Sequence, residues 1–151
     1  MKLIDFWTTA HDVPDVSGAY VLAIDLSEPV AVSICGKPSA LLAPGRYLYC
    51  GLAKGPGGLR ARLARHMRHG KPIHWHIDRL TEAGAVLGAW TFLCGDECHL
   101  VAALSHLPIA INGFGSTDCR SCTSHLLRWP HGVGTLGPLE ALYASELERV
   151  R

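Results

Sequence analysis

A strand, a glycine-rich break and a helix follow one another between residues 45 and 69, and this stretch constrains the fold most. Tyr47 and Tyr49 alternate with apolar residues, which is the two-residue period of a β-strand and places both phenols on one face. Three glycines and a proline at 55–58 then break the chain. The spacing of the next residues predicts a helix over about 58–69, which glycine and proline signals end.

The predicted helix has two faces of different chemistry. Basic side chains without an acid recur at i, i+3, i+4 and i+7 and form a cationic stripe: Arg62, Arg65, His66 and His69. An apolar stripe lies about 100° away: Leu59, Leu63 and Met67. We expect the apolar stripe to pack on the sheet while the cationic stripe faces the phenols. Phenols and cations around one point form a place that can hold a phosphate group.

The remaining pattern predicts a single α/β domain over residues 17–151, preceded by an extension at 1–16 that packs on the core without forming an element. Residues 18–26 and 30–35 are interpreted as a hairpin and, with the Tyr47 strand, as a mainly antiparallel sheet of about three strands flanked by helices. The other predicted elements are a helix at 76–83, a strand at 86–94, a helix at 97–107 capped by Asp96, an edge strand at 125–129 and a helix at 138–150.

Length and charge narrow the function. The 151 residues are 48% hydrophobic, enough for one core, and the net charge of +1 argues against binding to nucleic acid by bulk electrostatics. Positive charge is local instead, since residues 60–71 carry five Lys/Arg, two His and no acid. No stretch reaches the roughly 20 apolar residues of a membrane span. The six cysteines of a chain with a sizeable core are expected to be reduced, buried thiols of a cytoplasmic protein.

Five motifs in order carry a family resemblance. They are a strand that begins Gly-Ala-Tyr and carries Tyr20, a Tyr-Cys-Gly strand with Tyr49, a helix with Arg62 and His66, the run KPIHWHID at 71–78 and, counted together as the fifth, the segments ECHL at 97–100 and FGSTDC at 114–119. Over about residues 17–130 the chain resembles the GIY-YIG nuclease superfamily, in its uncharacterised branch labelled a domain of unknown function. Ala19 and Cys50 stand where the superfamily motif has isoleucine.

The resemblance implies hydrolysis of phosphodiester bonds in DNA or RNA with a divalent metal, Mg²⁺ or Mn²⁺. It implies Tyr20 as the base that activates water and Tyr49 as a second phenol, with Arg62 as the phosphate clamp and His66 as a proton relay or phosphate ligand. A free phenol has a pKa of about 10, so nearby cations are expected to favour the phenolate.

The metal ligand implied by the resemblance is Glu97, at the start of a helix after the last core strand. Glu82 is the competing candidate, and Asn112 stands for an asparagine that some relatives carry near the metal. A first-turn glutamate that only complements the helix dipole is the alternative reading. The residues expected to contact nucleic acid are Arg65, His69, Lys71, His74 and His76.

Three further patterns have open interpretations. His74, His76 and Asp78 are consistent with zinc binding, with a structural hydrogen-bond network or with phosphate contact. Cys119, Cys122 and His125, with Cys98 or His99 elsewhere, have a metal-like composition but lack a second, properly spaced pair, so free thiols are expected rather than structural Zn²⁺. The glycines at 55–58 are consistent with a phosphate-binding loop or with a turn.

The sequence therefore predicts a metal-dependent endonuclease of the GIY-YIG type. One alternative is a nucleic-acid-binding module that keeps the fold and has lost turnover, and a more distant one is a zinc-stabilised interaction domain. A partner protein could supply targeting, and the oligomeric state stays open.

Overall fold

The computed structural model describes residues 4–34, 38–93, 96–115 and 122–130. These residues form a mixed α/β structure whose strands all pair antiparallel. In chain order the elements are β1 (Ile4–Trp7), β2 (Gly18–Leu26), β3 (Val30–Val32), β4 (Ala40–Leu42), β5 (Gly45–Ala53), α1 (Gly58–Met67), α2 (His76–Ala83), β6 (Ala85–Phe92), α3 (Glu97–Ala103) and β7 (Leu126–Arg128). The predicted helix at 138–150 lies outside the described residues.

The main sheet has five strands in the order β1-β6-β2-β5-β7, whereas the sequence predicted about three. The predicted hairpin between β2 and β3 is wrong. Both edges of β2 are occupied, by β5 on one side and β6 on the other, so β3 pairs with β4 in a separate two-stranded sheet. The predicted edge strand near residue 127 is confirmed, because β7 pairs with β5 at the end of the main sheet.

The N-terminal residues contribute more than the sequence indicated. The prediction that residues 1–16 form no element is wrong, because β1 pairs with β6 and brings Phe6 to 4.7 Å from Trp90 between ring centroids. A four-residue strand is too short to display a reliable period. The assignment of a domain boundary at residue 17 stays a prediction.

Residues 14 and 16 also close the start of α1. The amides of Leu59 and Arg60 donate to the carbonyls of Val16 and Pro14, at 2.9 and 3.2 Å, and the Gly58 amide donates to Gly55. These first helical amides are therefore already paired. A phosphate-binding loop at residues 55–58 would therefore lack these three helical amides, whereas the turn interpretation fits.

The two faces of β2 bury different layers, as its alternation predicts. Tyr20, Leu22 and Ile24 belong to a core that includes Leu59 and Leu63 of α1. Ala19, Val21 and Ala23 belong to a second core that includes Leu100 and Leu104, which follow the first turn of α3. The sheet thus separates the helices α1 and α2 from α3. Within the described residues, no helix has the length and apolar character needed to cross a membrane.

Candidate active site

A cavity of about 260 Å³ lies between β2, β5, α1 and the start of α2. Six residues that the sequence singled out line it: Tyr20, Tyr49, Arg62, His66, His74 and His76. They come from β2, β5, α1 and the segment that enters α2, and the fold brings them together. Trp75, Ile77 and Gly115 also line the cavity, and sequence reasoning assigned none of them a role.

Tyr20 and His66 form the centre of the cavity. Their side chains are buried, and the Tyr20 hydroxyl lies 2.7 Å from His66 Nε2. The ring of Tyr49 lies 6.4 Å from that of Tyr20 and 6.3 Å from that of His66, between centroids. Two phenols and an imidazole thus surround one point at the floor of the cavity.

Burial controls the protonation of this group. It raises the pKa of Tyr20 well above 10, a change that the nearby Tyr49 increases and the Arg62 guanidinium opposes. Burial likewise raises the pKa of Tyr49 to about 12, with Arg62 again opposing. Arg62 does lower the pKa of both phenols, as expected for a nearby cation, but desolvation raises the pKa by more. Both phenols are protonated at neutral pH.

His66 is neutral, which corrects its assignment to a cationic stripe. Burial is the main cause that lowers its pKa to about 3, and the positive charge of Arg62 contributes to this shift. In the tautomer of neutral His66 that carries its proton on Nδ1, the Tyr20 hydroxyl donates this hydrogen bond and Nε2 accepts it. His66 Nδ1 is buried and has no hydrogen-bond partner among the described residues.

The protein should become less stable at acidic pH because His66 is neutral in the folded state. An unfolded histidine titrates near 6.5 and the folded one near 3, so the unfolded chain binds more protons between these values. The free energy of unfolding should therefore decrease as pH falls through this window, by up to about 1.4 kcal/mol per pH unit. In urea titrations His66→Gln should flatten this decrease, whereas His99→Gln, an exposed control, should not. Equal slopes for wild type and His66→Gln would contradict a neutral His66.

Two glycines make room for the phenols. Gly51 faces Tyr20 across the β2–β5 pair, and a Cβ at position 51 would overlap Cζ and the hydroxyl oxygen of Tyr20. Gly115 has a φ of +68°, and a Cβ there would lie 2.9 Å from Cε2 of Tyr49. The glycine of the Tyr-Cys-Gly segment therefore has a steric cause. The role of Gly115 becomes visible only in its contact with Tyr49, although the glycine-rich sequence around it indicated an unusual backbone conformation.

Replacing Gly51 by alanine should displace the Tyr20 ring and disturb its bond to His66. We expect a loss of about 1–3 kcal/mol in the free energy of unfolding, as for other overpacked sites. The matched control is Gly55→Ala, since a Cβ at position 55 meets nothing within 4 Å. Denaturant titration of both variants measures the difference, and equal stability of the two would refute the close packing at position 51.

Arg62 and Arg65 both lie against the indole of Trp75. Their Cζ atoms are 4.4 and 4.7 Å from its ring centroid, within the range of cation–π contacts. Arg62 lines the cavity, as the sequence predicts for a phosphate clamp. Arg65 instead donates to Asp78 Oδ2 at 2.8 Å and to the Pro72 carbonyl at 3.2 Å, so its guanidinium holds the loop before α2.

Asp78 is the centre of the network that positions this loop. Its fully buried Oδ2 accepts from the backbone amides of His74 and Trp75, both at 2.9 Å, in addition to Arg65. Burial alone would raise the pKa of Asp78, but the Trp75 and His74 amides and Arg65 bring it below its usual range. Asp78 does form a structural network, but it bonds to backbone amides rather than to imidazoles, and phosphate contact by His74 and His76 stays a prediction.

Lys71 and Glu82 are paired with each other. Lys71 Nζ is buried and donates to Glu82 Oε1 at 3.1 Å and to the Arg68 carbonyl at 2.7 Å. Glu82 also accepts from the amides of Gly70 and Lys71, and the Gly70 bond is the largest cause that lowers the Glu82 pKa to about 2. The expected contact of Lys71 with nucleic acid conflicts with the burial of its ammonium group. The Glu82 carboxylate already binds the turn at Gly70 and Lys71, which argues against Glu82 as the metal ligand.

Glu97 is the first residue of α3, on the opposite side of the sheet from α1. Asp96 caps this helix by accepting from the His99 amide at 3.0 Å, which confirms the predicted cap. Glu97 does not line the cavity, although its negative charge makes a small contribution to the raised pKa of Tyr49. Its Oε2 is buried and has no hydrogen-bond partner among the described residues. A divalent cation with oxygen ligands fits such an atom.

The remaining candidates are His69, His74, His76 and Asn112, of which His74 and His76 line the cavity. His69 and His74 are exposed, and His76 Nδ1 accepts from the Gly115 amide at 3.4 Å. In the part of the chain that the structure describes, neither His74 nor His76 belongs to a group of three metal-ligating side chains. Asn112 is exposed in a turn, and none of the described contacts involves its side chain.

The cysteines are arranged differently from the sequence pattern. Cys98 from α3 joins Cys122 and His125, and the ligand atoms of these three residues lie within 4.8 Å of one another. Cys119, which the sequence grouped with Cys122, lies outside the described residues. Cys50 is a free, buried thiol, as expected, and burial raises its pKa to above the usual range.

Fold and cavity define a small α/β domain with a buried and a half-buried tyrosine, an arginine and a histidine around one point. Residues 19–143 match the family model described as domain of unknown function DUF123, and the chain belongs to that family. Comparisons with curated proteins and with solved structures returned no match.

Proposed function

We propose that this protein is a GIY-YIG-type endonuclease that hydrolyses phosphodiester bonds in DNA or RNA with Mg²⁺ or Mn²⁺. The observation that carries the proposal is the 2.7 Å hydrogen bond between Tyr20 and His66 in a cavity that also holds Tyr49 and Arg62. A phenol, an imidazole and a guanidinium are groups that can activate water and bind a phosphate oxygen. The five ordered sequence motifs lie within or beside the matched family region, which is consistent with a place for the family in this superfamily.

Substrate binding would change the protonation of the tyrosine–histidine pair. Arg62 is the clamp, because its planar guanidinium suits two phosphate oxygens. It also lowers the pKa of His66 and of both phenols when the cavity holds no anion. A phosphate paired with Arg62 offsets that charge and raises the pKa of His66, which makes its Nε2 a better acceptor. The same change raises the pKa of Tyr20, so transfer of the Tyr20 proton relies on the direct 2.7 Å contact between the two groups.

Tyr20 then acts as the base. Once its proton has moved to Nε2 of His66, the phenolate oxygen can take a proton from the attacking water. Tyr49, whose pKa of about 12 keeps it protonated, is suited to donate a hydrogen bond to the phosphate. Glu97 would hold the divalent ion, which supplies Lewis-acid stabilisation of charge on the phosphate.

Metal dependence and the role of Glu97 are tested together. Plasmid, single-stranded, branched and RNA substrates are incubated with the purified chain in Mg²⁺, Mn²⁺ or a chelator. We expect cleavage with metal only, and a loss of about a hundredfold or more in Glu97→Gln. Glu82→Gln, the competing ligand candidate, should retain the wild-type rate under conditions where it is folded. Loss in Glu82→Gln with full activity in Glu97→Gln would reverse the metal assignment.

The second candidate is a binding module that has lost turnover. The raised pKa values of Tyr20 and Tyr49 favour it, because protonated phenols serve as hydrogen-bond donors without any base. Substrate binding without cleavage in every metal and substrate combination would support this reading over the nuclease.

A further inference from the structure

We propose that Cys98, Cys122 and His125 form a zinc site that ties α3 to the segment entering β7. This departs from the expectation of free thiols. The sequence pattern offered Cys98 or His99 only as an addition to Cys119, Cys122 and His125, because neither makes a properly spaced pair with them. Folding brings Cys98 to Cys122 and His125, with the two sulfurs and one imidazole nitrogen within 4.8 Å of one another.

The separation suits a tetrahedral metal. Zinc–sulfur bonds of about 2.3 Å place two tetrahedral thiolate ligands about 3.8 Å apart. The three ligand atoms need to approach by no more than about an ångström to reach that geometry. Two thiolates and a neutral imidazole are donors that Zn²⁺ prefers over Mg²⁺ or Ca²⁺, and the fourth position is left to a ligand beyond these three.

His125 provides an independent observation. Only 4% of the residue is exposed, and its Nε2 is buried without a hydrogen-bond partner among the described residues. Leaving a buried polar atom unpaired is unfavourable, and coordination through Nε2 would satisfy it. The His125 backbone is held on both sides, since its amide donates to the Phe114 carbonyl and its carbonyl accepts from the Cys50 amide, each at 2.9 Å. The imidazole is therefore carried by a fixed backbone.

The site has a route to solvent. Cys98 and Cys122 line a surface cavity of about 480 Å³ beside α3, through which a metal ion can enter. Zinc here would cross-link the helix on one face of the sheet to the edge strand. It would also fix the first turn of α3, where Glu97 precedes Cys98. The zinc proposal does not depend on nuclease activity.

Metal content tests the site directly. The full chain is purified without a metal-chelating tag, exposed to Zn²⁺, desalted, and analysed by inductively coupled plasma mass spectrometry. We expect one zinc per chain in wild type and at least a tenfold reduction in Cys98→Ser and in His125→Ala. The matched control His99→Ala removes a neighbouring but exposed histidine and should keep its zinc. A wild-type zinc content below a tenth per chain, or zinc retained in Cys98→Ser, would overturn the proposal.

A spectroscopic measurement on the wild-type chain tests the site even if the alanine and serine variants fail to fold. Cobalt added to the wild-type chain should produce thiolate-to-metal charge-transfer absorption and the visible bands of tetrahedral Co²⁺. His125→Cys offers a third thiolate at the same position and should keep bound metal with a stronger charge-transfer band. Octahedral cobalt without a charge-transfer band in wild type would contradict the site. A disulfide between two of the thiols that persists through purification under reducing conditions would contradict it as well.

Discussion

Replacing Tyr20 by phenylalanine should reduce the single-turnover rate of phosphodiester cleavage by about a hundredfold to ten-thousandfold. This is the range typical of a lost general base, and phenylalanine keeps the ring while removing the oxygen that contacts His66. The affinity for substrate should change little, because Arg62 remains in place. Rates at saturating substrate and a separate binding titration measure the two quantities.

Tyr47→Phe is the matched control for this change. Tyr47 lies on the same face of the sheet and is equally buried, but its hydroxyl donates to the Ala43 carbonyl at 2.6 Å, away from the cavity. It should lose about 1 kcal/mol of stability and keep its cleavage rate. A Tyr20→Phe enzyme as fast as Tyr47→Phe would show that the phenol at position 20 is not the base.

Replacing Asp78 by alanine should cause a loss of about 3–5 kcal/mol in the free energy of unfolding. The change leaves Arg65 without its buried anion and the amides of His74 and Trp75 without their acceptor. The loop that carries Trp75 should loosen as a result, and cleavage should fall as well. Denaturant titration monitored by tryptophan fluorescence measures the stability.

Asp96→Ala provides the comparison for Asp78. Asp96 is about half exposed and caps α3 through one bond to the His99 amide, so its removal should cost about 1 kcal/mol. If the two variants lost equal stability, the buried network around Asp78 would not have the importance that its contacts indicate.

The local sequence pattern was sufficient to predict most of the helices and strands near the site. The alternation of β2 and β5 and the cationic and apolar spacing of α1 predicted where Tyr20, Tyr49, Arg62 and His66 would point. What local pattern could not supply was pairing between strands. β3 is paired with β4 rather than β2 because β6, which comes much later in the chain, occupies the second edge of β2.

Burial explains the remaining differences. Arg65, His66 and Lys71 have the composition of a solvated basic face, yet His66 is a neutral core residue and Lys71 is enclosed with Glu82. A helical period predicts which residues share a face, but how deeply that face is buried depends on the loop that packs over it. Here Trp75 and Asp78 form that cover, and Cys98 reaches His125 only through the packing of α3.

Single-turnover cleavage of the substrate panel in Mg²⁺ by wild type and Arg62→Ala tests whether the cavity is a nuclease site. Arg62 lines the cavity and is exposed enough to be replaced without removing core packing, so a folded variant is expected. We predict cleavage of at least one substrate by wild type and a rate at least a hundredfold lower in Arg62→Ala. Equal rates in the two proteins, or no cleavage by wild type of any substrate, would contradict the nuclease.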